Sequence, residues 1–407
     1  MSQARHVILF ALFPLCATAR SQDAIVQSII DAVSIDSMML DLGLLSGEAP
    51  IDIGNGPEVI FSRNKNQPGN PLAAAWLQQR FQQLGFTPVV QIFSAGTGEN
   101  ILVEKTGAVH PERKVVICGH YDSMPGGPVA SPAADDDGSG TVAVLEALRV
   151  LAEHEFENTI VFALWDEEEQ GKLGSIYYAG VAAASDVEII AAVNMDAISY
   201  DGDGDGLMRV HTKNIANSIA LKDTAMMVNQ TYAALQLPMA INLPGETYSD
   251  HASFWSENYS AILIIEDFDN DGNPHYHTST DLVDYIDQPY FHGLARLGIG
   301  TTAVMARPIP EETAVHGTTS ELIQPRLFVH PNPTTGTTMV RTDVLDGTAS
   351  ISLYDALGRH MMNIASGTSA LGKRVFGFDA DRLVPGYYVM RLSANGRATA
   401  VTVVRTP

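Results

Sequence analysis

Four apolar runs, each followed at once by acidic residues or histidine, constrain this chain more than any other feature. Lys114-Val115-Val116-Ile117-Cys118-Gly119 leads into His120 and Asp122, and Thr159-Ile160-Val161-Phe162-Ala163-Leu164-Trp165 leads into Asp166 to Glu169. Val187 to Met195 leads into Asp196, and Ala261-Ile262-Leu263-Ile264-Ile265 leads into Glu266 to Asp269. Runs without polar alternation read as strands covered on both faces, the pattern of parallel sheets. Helical patterns lie between and before them. Pro71 to Leu84 spaces Leu72, Trp76, Phe81 and Leu84 for one face and stops at Gly85, and Ser139 to His154 carries Val142, Val144, Leu145, Leu148 and Leu151. Strands alternating with helices predict an α/β domain with a mostly parallel central sheet flanked by helices. In such sheets the functional crevice opens at the carboxyl ends of the strands, so the polar residues ending each run should converge.

The two ends of the chain read differently. Arg5 and His6 precede the apolar run Val7 to Phe13, and Ala17-Thr18-Ala19 offers small residues for cleavage, so residues 1–19 read as a signal peptide. Leu15 is too large for a lipobox before Cys16. Cleavage leaves Cys118 as the lone thiol, without a disulfide, so packing and bound metal must stabilise the core. Residues 23–60 are mixed and carry no clear pattern. Past Arg307, residues 308–325 read as a linker between the 23–307 α/β domain and residues 326–407. That last segment holds short β-type runs such as Ile351 to Tyr354 and Tyr387 to Leu392, separated by Gly, Asn and Asp, and reads as a small all-β sandwich. A formal net charge of −23 argues against nucleic acid as a partner, which needs clustered cations. No interior run reads as a membrane span.

Five of the polar residues at strand ends or in adjoining loops suit zinc: His120, Asp136, Glu169, Asp196 and His277. Two ions a few ångströms apart need one carboxylate between them, and two imidazoles with three carboxylates supply it while leaving room for a water. Any one Asp at a strand end is otherwise a turn former or helix cap; the set of five is what carries the metal reading. At Glu167-Glu168-Glu169 any adjacent pair could serve as base and ligand. Asp137 reads as a helix cap beside Gly138-Ser139-Gly140. Asp201-Gly202-Asp203-Gly204-Asp205-Gly206 and Asp267 to Gly272 resemble the start of calcium loops, but Thr212 and Thr278 stand where the twelfth-position Glu belongs, which favours plain turns.

Gly119-His120-Tyr121-Asp122-Ser123, Ala134 to Gly140, Glu168-Glu169-Gln170-Gly171-Lys172-Leu173-Gly174-Ser175, Asn194-Met195-Asp196, Ser249 to Phe254 and Asn273 to Thr278 follow one another in this order. Over residues 60–305 the chain thereby resembles the dizinc bacterial leucyl aminopeptidases, whose relatives include the animal glutaminyl cyclases. The resemblance implies two Zn2+ ions bridged by Asp136, with Glu169 and His277 completing one site and His120 and Asp196 the other. It implies that Asp122 orients His120 and that Glu168 is the general base. The family pattern Glu-Glu-x-Gly-x-x-Gly-Ser sets the register at Glu168-Glu169 and makes Glu167 a flanking, solvated acid. Tyr276 matches a tyrosine that donates to the developing oxyanion in some members, with Tyr248 as a competitor for that role.

The expected activity is therefore release of N-terminal residues from peptides with a free amine. Glutaminyl cyclisation is the alternative from the transferase class, and cyclases of this family work with one zinc; here His120 and Asp136 are both intact. Carboxypeptidase action needs an arginine patch, and the motif regions are poor in Arg. A metal-stabilised adhesin would have no use for Glu168. Finally, His330-Pro331-Asn332-Pro333-Thr334-Thr335-Gly336, Leu353 to Arg359 and Pro385-Gly386-Tyr387-Tyr388 resemble the sorting domain of type IX secretion. That implies the type IX machinery as a partner and a secreted or cell-surface location, reached through the periplasm.

Overall fold

The computed structural model describes residues 23–310 and 326–406, except short segments at 331, 345–346, 356–358, 370–371 and 395–396. The expected signal peptide, Cys16 and most of the expected linker lie outside the described residues. The chain divides into two compact units, with the boundary between Glu311 and Glu312.

In the first unit, eight strands form one sheet: β1 (Val89–Phe93), β2 (Gly98–Lys105), β3 (His110–His120), β4 (Asn158–Trp165), β5 (Glu188–Met195), β6 (Met208–His211), β7 (Met239–Asn242) and β8 (Ala261–Glu266). Their spatial order is β1-β2-β4-β3-β5-β8-β6-β7. The central strands β4, β3, β5 and β8 are mutually parallel, and β1, β2 and β6 join antiparallel. The α/β architecture read from the four apolar runs is the one observed, and those runs are the central strands.

Side chains alternate across the pleat, so both faces need cover. On β3, Val115 and Ile117 enter the larger core with α4 (Gly140–Leu151), whereas Val116 and Cys118 enter a second core with Trp165, Tyr178 and Phe254. The larger core also takes α1 (Ala24–Ala32), α2 (Ile35–Leu45), α3 (Gly69–Gln83), α6 (Ser218–Thr231) and α8 (Gln288–Ala306). The second core lies under α5 (Leu173–Ala184) and the short α7 (His251–Ser256). Helices α1 and α2 fall where the sequence showed no pattern. Each nonetheless has a side-chain cap, Asp23 accepting from Ile25 and Val26 N–H and Ser34 from Ser37 N–H.

Two glycines let these layers close on the strand ends. A Cβ on Gly119 would stand 2.7 Å from Asp137 Oδ2 and 3.1 Å from the Met195 carbonyl, and one on Gly140 would strike that same carbonyl. The end of β3, the start of α4 and the end of β5 can therefore approach only with glycine at both places.

Arg63 ties the loops behind them. Its guanidinium is fully buried and donates to the carbonyls of Tyr121 (2.6 Å), Leu45 (3.2 Å), Pro132 (2.6 Å) and Ala133 (2.9 Å). Burial pulls its pKa down to about 10 against the pull of Asp281, Asp137, Asp122 and Asp136, so it stays charged at neutral pH. Arg63→Met should cost about 3–5 kcal/mol, the scale for removing one partner of a buried charged network. The check is urea unfolding followed by tryptophan fluorescence, because Trp76, Trp165 and Trp255 all lie in this unit. A loss below about 1 kcal/mol would contradict the role given to these four bonds.

The second unit carries two antiparallel sheets. One has the order β9-β10-β13, from β9 (Arg326–His330), β10 (Thr337–Val344) and β13 (Gly372–Asp379). The other has the order β12-β11-β14-β15, from β11 (Gly347–Asp355), β12 (His360–Ser369), β14 (Gly386–Ala394) and β15 (Arg397–Arg405). Val340, Leu353, Phe378, Met390 and Val403 share its core. Asn332 links the segment after β9 to β15, accepting from Val404 N–H at 2.8 Å and donating to the Thr402 carbonyl at 2.6 Å.

Candidate metal centre

Strands β4, β3, β5 and β8 end side by side, and each end delivers part of one site. His120 is the last residue of β3, Glu168 and Glu169 lie on the turn after β4, and Asp196 follows β5. Asp136 comes from the turn before α4, and His277 from the loop after β8. The Asp136-Asp137 peptide is cis.

These residues form two groups that share one member. Ligand atoms of His120, Asp136 and Asp196 lie within 4.8 Å of one another, and so do those of Asp136, Glu169 and His277. His120 Nε2 is 3.3 Å from Asp136 Oδ1 and 3.6 Å from Asp196 Oδ1. His277 Nε2 is 3.0 Å from Asp136 Oδ2 and 2.9 Å from Glu169 Oε2. Closeness alone does not satisfy these atoms: Asp136 Oδ2 and Glu169 Oε1 are buried without a hydrogen-bond partner. Imidazole nitrogens and carboxylate oxygens that converge without donors between them fit a cation in each group.

Charge balance points the same way. Burial and then the Asp136 carboxylate lift Glu169 to about 7; burial lifts Glu168 well above the carboxylate range, with Asp250, Asp196 and Asp122 adding to it. Burial works against protonation of His277, but Asp136 and Glu169 outweigh it and raise the ring to about 10. Burial alone would raise Asp136; His120 and His277 reverse this and hold it below the usual range. The site is short of positive charge; a dication there would reverse the upward shifts of Glu168, Glu169 and His277 and reinforce the downward shift of Asp136.

Around the two groups, backbone amides fix the carboxylates. Asp122, fully buried, accepts from Glu168 N–H at 3.0 Å and Glu169 N–H at 3.2 Å, and its Oδ1 lies 3.3 Å from His120 Nδ1 without hydrogen-bond alignment. Asp137 caps Gly140 N–H at 2.8 Å and also takes His120 N–H at 2.9 Å. The Ser249 hydroxyl donates to Asp196 Oδ2, and Asn194 Nδ2 donates to Ser249 Oγ at 2.7 Å. Asp281 accepts from both Asp135 and Asp136 N–H at 3.1 Å. Asp281, Arg63 and Ser249 had no assigned role in the sequence; their partners lie tens of residues away, so no local spacing could reveal them.

Glu167 differs from its expected solvated position. Its side chain is fully buried, 3.3 Å from Lys65 Nζ, with the Ser94 hydroxyl donating to it at 2.7 Å. The backbone at Glu167 is left-handed (φ 57°).

Both tyrosines keep exposed rings. Tyr276 stacks on the His277 imidazole, with centroids 3.8 Å apart. Tyr248 Oη lies 3.2 Å from His211 Nε2, while His211 Nδ1 receives the Glu246 N–H at 3.1 Å. A backbone amide can only donate, so Nδ1 is the acceptor and the proton sits on Nε2. His211 therefore donates to Tyr248, whose own hydroxyl proton is left free to donate elsewhere. Asp201, Asp203 and Asp271 also approach within 4.8 Å, but their loops already supply donors, including Gly202 and Asp203 N–H to Asp271 and Gly204 and Gly206 N–H to Asp201.

Residues 100–300 match the sequence model of Peptidase family M28, and residues 328–405 that of the Secretion system C-terminal sorting domain. A probable leucine aminopeptidase of Arthroderma benhamiae is 33% identical over 48% of the chain and 55% of its own length. The chain thus spans about half the length of the first curated relatives it matches. Leucine aminopeptidase 1 of Trichophyton equinum is 27% identical over 71% of the chain and 78% of its length. The LapA aminopeptidase of Legionella pneumophila shares the fold, with a TM-score of 0.58 at 22% identity over 69% of the chain and 74% of that structure. A glutaminyl cyclase of Bacteroides thetaiotaomicron also shares it, with a TM-score of 0.51 at 16% identity over 66% of the chain and 97% of that structure.

Proposed function

The chain belongs to peptidase family M28, and from that premise we propose that it is a secreted metallo-aminopeptidase acting on peptides with a free N-terminus. The observation that carries this reading is Asp136, shared by two ligand groups beside Glu168. His120, Asp136 and Asp196 would hold one Zn2+, and Asp136, Glu169 and His277 the other. When bound, the pair supplies Lewis-acid polarisation of the scissile carbonyl, an acidified water and an anchor for the free α-amine.

The chain's own residues do the rest. Glu168 accepts a proton from the attacking water and returns it to the leaving amine. Asp122 holds the turn of Glu168 and Glu169 by their amides and steadies the His120 ring. Of the two tyrosines, Tyr248 has the stronger claim as a donor to the developing oxyanion, since His211 donates to its oxygen and leaves its hydroxyl proton free. Tyr276 then serves mainly to brace the His277 ring.

Residues 1–19 act in this reading as the signal peptide and 308–325 as the linker. Residues 326–407 address the chain to type IX secretion, which supports a secreted or surface location. Among the described residues no helix is long and apolar enough to cross a membrane.

Cleavage of leucine anilide tests the assignment. The free amine should be processed and the N-acetyl form should not, with activity lost on chelation and restored by zinc. Equal cleavage of the blocked substrate, or cyclisation of N-terminal glutamine as the main reaction, would remove the aminopeptidase reading.

A further inference from the structure

Between β7 and α7 the chain runs largely exposed, and one residue of that crossing is held from both sides by buried rings. Leu243, Pro244, Glu246, Thr247 and Tyr248 are all exposed. The crossing leans on the end of β6: Gly245 N–H donates to the Thr212 carbonyl at 2.7 Å, and a Cβ on Gly245 would stand 2.8 Å from Thr212 N and 2.9 Å from His211 Cβ. One residue on, Glu246 presents its N–H to His211 Nδ1 at 3.1 Å and its carbonyl to His251 Nε2 at 2.9 Å. His211 ends β6 and His251 begins α7, and both are buried.

These partners fix both tautomers. A carbonyl only accepts, so His251 carries its proton on Nε2. His211 accepts at Nδ1, carries its own proton on Nε2 and donates it to Tyr248 Oη. A doubly protonated His211 could not accept the Glu246 N–H. Burial keeps both rings neutral, pulling His211 down to about 4 and His251 to about 3. Peptide groups on an exposed residue can bond to water instead, so the two contacts add little to stability. What they add is a fixed backbone at Glu246, just before Tyr248 and Ser249. The Ser249 hydroxyl donates to Asp196, so the held segment ends on a residue of the metal centre.

We propose that His211 and His251 are positioning residues, which clamp the backbone of Glu246 and thereby hold the Tyr248 hydroxyl where it donates to the developing oxyanion. The role of Tyr248 rests on the aminopeptidase reading; the clamp itself does not.

The test is a double-mutant cycle on leucine anilide. His211→Phe should lower kcat by about tenfold or more and leave KM within about twofold, because a misplaced donor weakens the transition state and not ground-state binding. His211→Gln, whose amide supplies an acceptor and a donor, should recover most of that loss. In the Tyr248→Phe background, His211→Phe should cost no more than about twofold further, and so should His251→Leu. A merely structural role would instead add its loss to that of Tyr248→Phe. Nitrogen-15 NMR of the full chain reads the clamp without turnover. Both rings should be neutral with the proton on Nε2 at neutral pH, and the His211 signals should shift in Tyr248→Phe. An unchanged kcat in His211→Phe, a loss that persists in the Tyr248→Phe background, or either ring protonated on Nδ1 would overturn the proposal. If wild type cleaves no anilide while both rings show these tautomers and the Tyr248→Phe shift appears, the clamp stands and the aminopeptidase reading falls.

Discussion

Glu168→Gln should retain its metal and its fold yet lose on the order of 10²–10⁴ in kcat, the range for removing a general base. The amide keeps the volume, and the Glu168 backbone N–H that anchors the turn to Asp122 is untouched. What disappears is the ability to accept a proton from water. The adjacent variant is the control. Glu167 is buried against Lys65 and Ser94, so Glu167→Gln should lower stability while kcat changes by only a few fold. Metal content by elemental analysis and steady-state kinetics on leucine anilide separate the two. An active Glu168→Gln beside a dead Glu167→Gln would move the base by one residue.

Asp136→Asn should have the widest effect of any single ligand change, because Asp136 alone belongs to both groups. Its Oδ1 faces His120 and its Oδ2 faces His277. An amide offers one acceptor oxygen and replaces the other with a donor, which cannot serve a cation. Both groups should lose affinity together, and activity should fall by more than about a hundredfold at zinc concentrations that saturate wild type. Asp196→Asn touches one group only and should leave the other able to bind. Zinc titrations of the two variants make the comparison. Retention of wild-type zinc binding in Asp136→Asn would show that the carboxylate does not bridge.

How much of this was legible in the sequence differs by element. The four central strands announce themselves because each is buried on both faces and so carries no polar alternation. The edge strands β1 and β7 do not, since short, half-buried strands such as Met239–Asn242 have no distinctive pattern. Helices α1 and α2 carried readable caps at Asp23 and Ser34 and buried Val26, Ile29 and Ile30 at helical spacing, but the short, separately capped segments gave no long periodic run. At the site, residues that end strands could be found because the sheet dictates where strand ends go. The groups that hold them could not. Asp281 reaches Asp136 across 145 positions, and Arg63 reaches Ala133 across 70. Glu167 shows the limit of local register: three consecutive acids look alike, and what separates them is the partner each meets, Lys65 and Ser94 for Glu167 and His277 for Glu169.

The claim that Asp136 bridges two zinc ions is open to direct observation by anomalous diffraction at the zinc edge, on crystals of the full chain grown with zinc. The account predicts two peaks in each chain, one touching His120, Asp136 and Asp196 and the other touching Asp136, Glu169 and His277. A single peak, or zinc bound only at the Asp201, Asp203 and Asp271 loops, would contradict it.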